Sequence, residues 1–289
     1  MRSWLPPINL AYRERRSWGG RKYDPTPFGP CDLFERIHEW YGTTYGSRNK
    51  IDLSSGSVVL VLHGGLWELN VPYMRGHIEV IADCDLSNPP AGHQIQKTKA
   101  DSPVMVNVLQ QMKGLTQAYA NRLTPNEMSQ VIVRFAEADF ALNALEQLKG
   151  SSLFDEARSD YRHSVAALLA ENELAKARWD TAQCAEKIMK GLLARSGHHD
   201  YPKGRGGHEH VGLGKMLSEK LQLSLKEADL EAVYCPPAVR YGELASTRDD
   251  ALLAHDGLLH ILRDIGGHYA PKGATAYLTS EPYPSTPVV

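Results

Sequence analysis

The segment TRDDALLAHDG, residues 247–257, sets Arg248 and His255 seven positions apart within an apolar-periodic stretch. On a helix, seven residues at about 100° each return almost to the starting direction. The two side chains then share a face, roughly 10 Å apart along the axis. Cleaving RNA without a metal needs a base for the ribose 2′-hydroxyl proton, an acid for the leaving 5′-oxygen and a cation for the phosphate. Imidazole titrates near neutrality and can serve either proton role. Guanidinium forks onto phosphate oxygens and stays charged. One Arg–His pair is thin for the whole reaction, whereas two pairs across a two-fold axis supply base, acid and clamps, and a closed two-fold dimer is the commonest oligomer. The plainer reading is an ordinary helix on which Arg248 pairs with Asp249, Asp250 or Glu243 and His255 is a surface residue.

Other stretches begin like catalytic motifs and stop short. VLVLHGG, at 59–65, ends like the turn that builds an esterase oxyanion hole, but the chain has no G-x-S-x-G nucleophile elbow, so His63 reads as a turn residue. GLGKM ends like a phosphate loop, yet Glu209 stands where its first glycine is required and Met216 where its hydroxyl belongs. GSRNKIDL (46–53) and ADCDL (82–86) each lack part of a nucleotidyltransferase signature. His198, His199, His208 and His210 could offer zinc ligands, but a flexible YPKGRGG lies between them and no cysteine is near, so no metal or other cofactor is expected.

The elements that must position these residues differ between the two halves. Residues 1–30 mix Trp, Pro and Gly with six basic and two acidic residues. That composition suits an arm on phosphates and bases, or an irregular terminal segment packed on the domain, the reading preferred here. Helical spacing runs over 31–42, and three short strands follow in GSVVLVLHG, LWELNV and HIEVIADCD. Residues 88–103 read as loop. Helices are predicted near 104–120 and 125–148, the second opened by TPNE with a Thr cap, Pro at the first helical position and Glu at the third. From about 152 the pattern is only helical, in long segments ending at Gly197 and at Gly266–Gly267. The fold expected is α+β: a small mixed α/β domain over 1–150, an all-α bundle over 151–268 and a flexible tail over 269–289.

A chain of 289 residues with 42% hydrophobic and 23% charged residues is ordinary for a globular protein. The net charge of −2 does not advertise nucleic-acid binding, so such a role needs a local basic patch. Cys31, Cys84, Cys184 and Cys235 are far apart and read as reduced thiols. No apolar run is long enough to span a bilayer. A cytoplasmic protein with no membrane partner is expected.

Three stretches of the second half resemble the HEPN family of helical domains. ELAKARWDTAQCAEKIMKGLL resembles its second helix, with Gln183, Ala185-Glu186-Lys187 and Lys190-Gly191-Leu192-Leu193 in the usual order. GHEHVGLGKML resembles a later helix start. AVRYGE resembles the family's Arg-Tyr turn, with Gly242 where many members have Pro. The match covers about residues 152–267. It implies an Arg, four to six intervening residues and a His on the last long helix, which Arg248 and His255 fit, with Asp249 as the polar neighbour. The activity implied is a metal-independent endoribonuclease working as a homodimer, in a toxin or defence setting, with RNA as substrate and an antitoxin or regulatory partner. The alternative implied is a non-catalytic nucleotide- or protein-binding module. Arg240 and Tyr241 are the candidate substrate-binding residues. Arg240 is expected to tie the turn to helix ends, and Tyr241 to face the core with its hydroxyl satisfied.

Overall fold

β-Branched residues dominate SSGSVVLVL, and this run forms β1 (Ser54–Leu62), which pairs antiparallel with β2 (Gly65–Pro72). The two-residue loop between them is His63–Gly64, with φ of 49° and 76°. Two positive φ values make the turn whose twist matches a hairpin, which is why glycine is used there. β3 (Ile78–Ile81) pairs in parallel with β4 (Val104–Asn107) in a second two-stranded sheet. The structure, a computed structural model, describes residues 54–74, 78–87, 104–201 and 209–269, together with Trp40 and Thr43. The basic arm over 1–30, nearly all of the helix expected over 31–42, the loop over 88–103 and residues 270–289 lie outside the described residues.

The helix predicted near 104–120 is a correction. Val104–Asn107 is strand, Val108–Gln111 is a 3-10 turn, and only Gln117–Ala120 (α1) is α-helical. Val106 and Val108 are buried, and pairing with β3 supplies the backbone partners that a helix would have found within itself. α2 (Pro125–Gln147) begins as its sequence predicts. Thr124 Oγ1 accepts from the Glu127 N–H, and the Glu127 carboxylate accepts from the Thr124 N–H.

Beyond α2 the described elements are all helices: α3 (Ser152–Leu169), α4 (Leu174–Arg195), α5 (His210–Leu221), α6 (Glu227–Ala232), α7 (Pro237–Arg240) and α8 (Arg248–Tyr269). The last helix therefore includes Tyr269, where the tail was expected to start. α3 and α4 pack along each other, and α8 is flanked by α2, α4 and α6. Gly191 makes the first pairing possible: a Cβ there would lie 2.6 Å from Phe154 Cε1. Gly257 does the same for α8 and α6, since its Cβ would meet the Asp229 carbonyl oxygen and Ala232 Cβ at 3.0 Å.

One buried cluster contains Val58 and Leu69 from the hairpin, Phe135 and Leu142 from α2, and Phe154, Leu192 and Leu262 from the later helices. It crosses the boundary expected at 150/151 without a break. α2, assigned by sequence to the first domain, is packed on α8. The chain is thus a mixed α/β fold with a small two-sheet part and a helical remainder sharing one core. Inside it, Asp139 is 5% exposed, and its Oδ1 accepts from Asn143 Nδ2 at 2.8 Å. Burial pushes this carboxyl up to about 6.

Candidate functional site

Among the described residues, β1 has a strand neighbour on one edge only. On its other edge the peptide groups of Ser57 and Val59 face helices, and side chains complete them. The Val59 N–H donates to His255 Nε2 at 3.3 Å. The Val59 carbonyl accepts from Arg134 Nε at 3.1 Å and Nη2 at 2.9 Å. The Ser57 carbonyl accepts from the Tyr161 hydroxyl at 2.9 Å. Three helices, α8, α2 and α3, thereby clamp one strand edge, which closes a site otherwise open to a foreign strand. Arg134 continues to Asp256 on α8, with Nη2 2.5 Å from Oδ1.

His255 is consequently an interior residue. It is 1% exposed, and its ring lies 6.0 Å from that of Tyr161 at an interplanar angle of 27°. A ring nitrogen that accepts from a backbone N–H carries no proton, so the proton of the neutral ring sits on Nδ1, which has no partner among the described residues. Desolvation, with the Arg134 charge beside it, lowers the imidazole to about 3. His255 points inward to Val59, while Arg248, 31% exposed, reaches Glu171 with 3.9 Å between Nη1 and Oε2.

The neighbouring residues have structural duties of their own. The Thr247 N–H donates to Asp250 Oδ2 at 3.0 Å and the Asp250 N–H donates to Thr247 Oγ1 at 3.1 Å, a reciprocal cap at the start of α8. The bonds from Thr247 hold the Asp250 carboxyl below its ordinary range. Asp249 is exposed in the first turn, where a carboxylate complements the helix dipole. Of the alternative partners foreseen for Arg248, Asp250 is instead 3.8 Å from Arg178 Nη1.

The Arg-Tyr turn departs from expectation in an informative way. Tyr241 is 70% exposed rather than core-facing. Arg240 lies over the Trp179 ring, 4.6 Å from its centroid, and 5.9 Å from that of Tyr241. Among the described residues no carboxylate forms an ion pair with Arg240. Gly242 has φ of 76°, which proline cannot adopt, so this turn is built differently from one with Pro at that place. Arg178 extends the cationic surface toward α8 and donates from Nη2 to the Tyr234 carbonyl at 3.3 Å. Trp179, which the sequence reading did not single out, is central here; its signal was an aromatic residue flanked by Arg178 on a helix otherwise patterned for packing.

The histidine-rich segment is split. His208 lies outside the described residues, and His210 is buried with Nε2 2.9 Å from the Ala182 carbonyl. Among the described residues no group of three or more His, Cys, Asp or Glu could hold a metal ion, and no helix is long and apolar enough to cross a membrane. Cys84, Cys184 and Cys235 are free thiols, the latter two buried; Cys31 lies outside the described residues. No family model, curated protein or solved structure matches this chain.

Proposed function

We propose that the helical part of this chain is a HEPN-like module that binds, without cleaving, single-stranded RNA or a nucleotide on the arginine–aromatic surface of Trp179, Arg240 and Tyr241. The observation that carries this reading is Arg240 stacked 4.6 Å over Trp179 beside a Tyr241 that is 70% exposed. Flat rings interleaved with guanidinium groups accept the π-face of any base, and the charge engages phosphate. Arg178 and Arg248 stand at the same end of the bundle, near the starts of α4 and α8, where they can extend the track for a backbone. The enclosure of His255 favours binding over catalysis, because an imidazole that holds a strand edge has no lone pair left for a ribose hydroxyl.

The test is a titration of the full chain with labelled oligoribonucleotides and nucleotides, read by anisotropy and by Trp fluorescence. Base–aromatic stacking contributes about 1–3 kcal/mol per base, so Trp179→Ala or Arg240→Ala should raise Kd roughly 5- to 150-fold. Unchanged affinity in both variants, or no binding by the wild type at low salt, would remove the reading. Cleavage in EDTA that is lost in His255→Ala at an unchanged melting temperature would replace it with the ribonuclease.

A further inference from the structure

The hairpin turn carries a cluster of polar and aromatic residues, remote in sequence from the helical surface. His63, the residue of positive φ between β1 and β2, has its side chain 45% exposed. Its Nε2 lies against Glu127 Oε1, and its Nδ1 lies 2.9 Å from the Tyr119 hydroxyl. Glu127 is fixed by the cap of α2: Oε2 accepts from the Thr124 N–H and from its hydroxyl, each at 2.8 Å. Those bonds, with His63 a lesser cause, keep its carboxyl ionised below the ordinary range. Tyr119 is held by Trp67, with ring centroids 4.7 Å apart at 59°. The Trp67 indole N–H next to them has no acceptor among the described residues.

In the neutral ring these contacts assign the tautomer. A carboxylate only accepts, so the neutral ring donates to Glu127 from Nε2–H. Nδ1 is left with its lone pair and accepts from the Tyr119 O–H. Nucleophile, base and orienting carboxylate are thus in line, each within reach of the next, which is the general logic of an activated hydroxyl. The ionic group built into this array is a carboxylate, not an arginine or lysine, so a neutral carbonyl suits it better than a phosphate. The Trp67–Tyr119 aromatic wall adds a surface for a flat apolar substituent.

We propose that Tyr119, His63 and Glu127 form an acyl-transfer site for neutral aryl esters. Tyr119 Oη attacks the ester carbonyl carbon and forms a new C–O bond, while its proton passes to His63 Nδ1. The tetrahedral centre collapses, the bond to the aryloxy group breaks, and His63 returns the proton to the departing oxygen. Tyr119 is left as an acyl ester. Glu127 is a positioning residue that fixes the ring and steadies the imidazolium.

The experiment treats the full chain with p-nitrophenyl acetate, follows p-nitrophenolate release and maps the acetyl group by peptide mass spectrometry. The expected result is a burst close to one equivalent with acetyl on Tyr119. Tyr119→Phe, which keeps the ring against Trp67, should abolish both, and His63→Gln should lower the burst rate about 100-fold or more. Glu127→Gln retains the capping box yet should release the fixed Nε2–H tautomer, read from the nitrogen-15 shifts of His63. Acetyl confined to lysines or the N-terminus, or Tyr119 labelling of equal rate in His63→Gln, would overturn the proposal. Circular dichroism of each variant separates loss of reactivity from loss of fold.

Discussion

Replacing His255 by leucine removes a strand-edge acceptor and a titrating group together, and the two losses act differently with pH. Near neutrality the Val59 N–H loses its partner, at a cost of about 1–3 kcal/mol. The unpartnered Nδ1–H disappears as well, which offsets part of that cost. The net loss expected is about 1 kcal/mol. Acid changes the balance. The unfolded chain protonates His255 from 6.5 downward, whereas the folded chain withholds the proton until about 3. The unfolded state therefore binds more protons in this window, and the wild type loses stability as pH falls from 6.5 toward 3. Each pH unit is worth about 1.4 kcal/mol, so acidification to about pH 5 costs the wild type about 2 kcal/mol that the leucine variant does not lose. Urea unfolding of both chains, followed by circular dichroism and Trp fluorescence between about pH 7 and pH 5, should give curves that converge or cross. Parallel curves would refute the placement of a neutral, accepting His255 against β1.

Asp139→Asn tests a carboxyl with the opposite sign. Its folded value of about 6 exceeds the ordinary 3.8, so the folded state holds the proton longer and the wild type loses stability as pH rises from about 4 through 6. The variant should be more stable at neutral pH by about 2–3 kcal/mol, provided the new amide finds an acceptor for its N–H groups; a decrease in urea midpoint at neutral pH would contradict it. Gly191→Ala sets a Cβ 2.6 Å from Phe154 Cε1, and Phe154 is fully buried, so the variant should lose about 1–3 kcal/mol. An unchanged midpoint would mean that α3 and α4 can separate freely.

The parts of the fold legible in the sequence are those governed by neighbours along the chain. The cap at Thr124 and Glu127, the turn marked by His63 and the α4 periodicity each depend on residues a few positions apart. The stretch VMVNVLQQM suited either period, and a partner strand some 26 positions earlier decided it, Ile78 facing Val104. The surroundings of His255 were not legible for the same reason. On the helical wheel Arg248 and His255 share a face, but the burial of His255 is set by Val59, 196 positions away. Tyr241 sits in the turn its sequence suggested, yet faces outward, because Gly242 with its positive φ turns the chain there.

The clamp on β1 has a consequence for how the chain acquires its shape as it is made. Ser57 and Val59 wait for Arg134, Tyr161 and His255, which lie 75, 104 and 196 positions from their partners. During synthesis from the N-terminus the hairpin emerges early, with one row of peptide groups unanswered until α8 has left the ribosome. Contacts so distant in sequence fold slowly, and an open strand edge meanwhile invites pairing with other chains. Expression yield should accordingly be most sensitive to changes in the last helix.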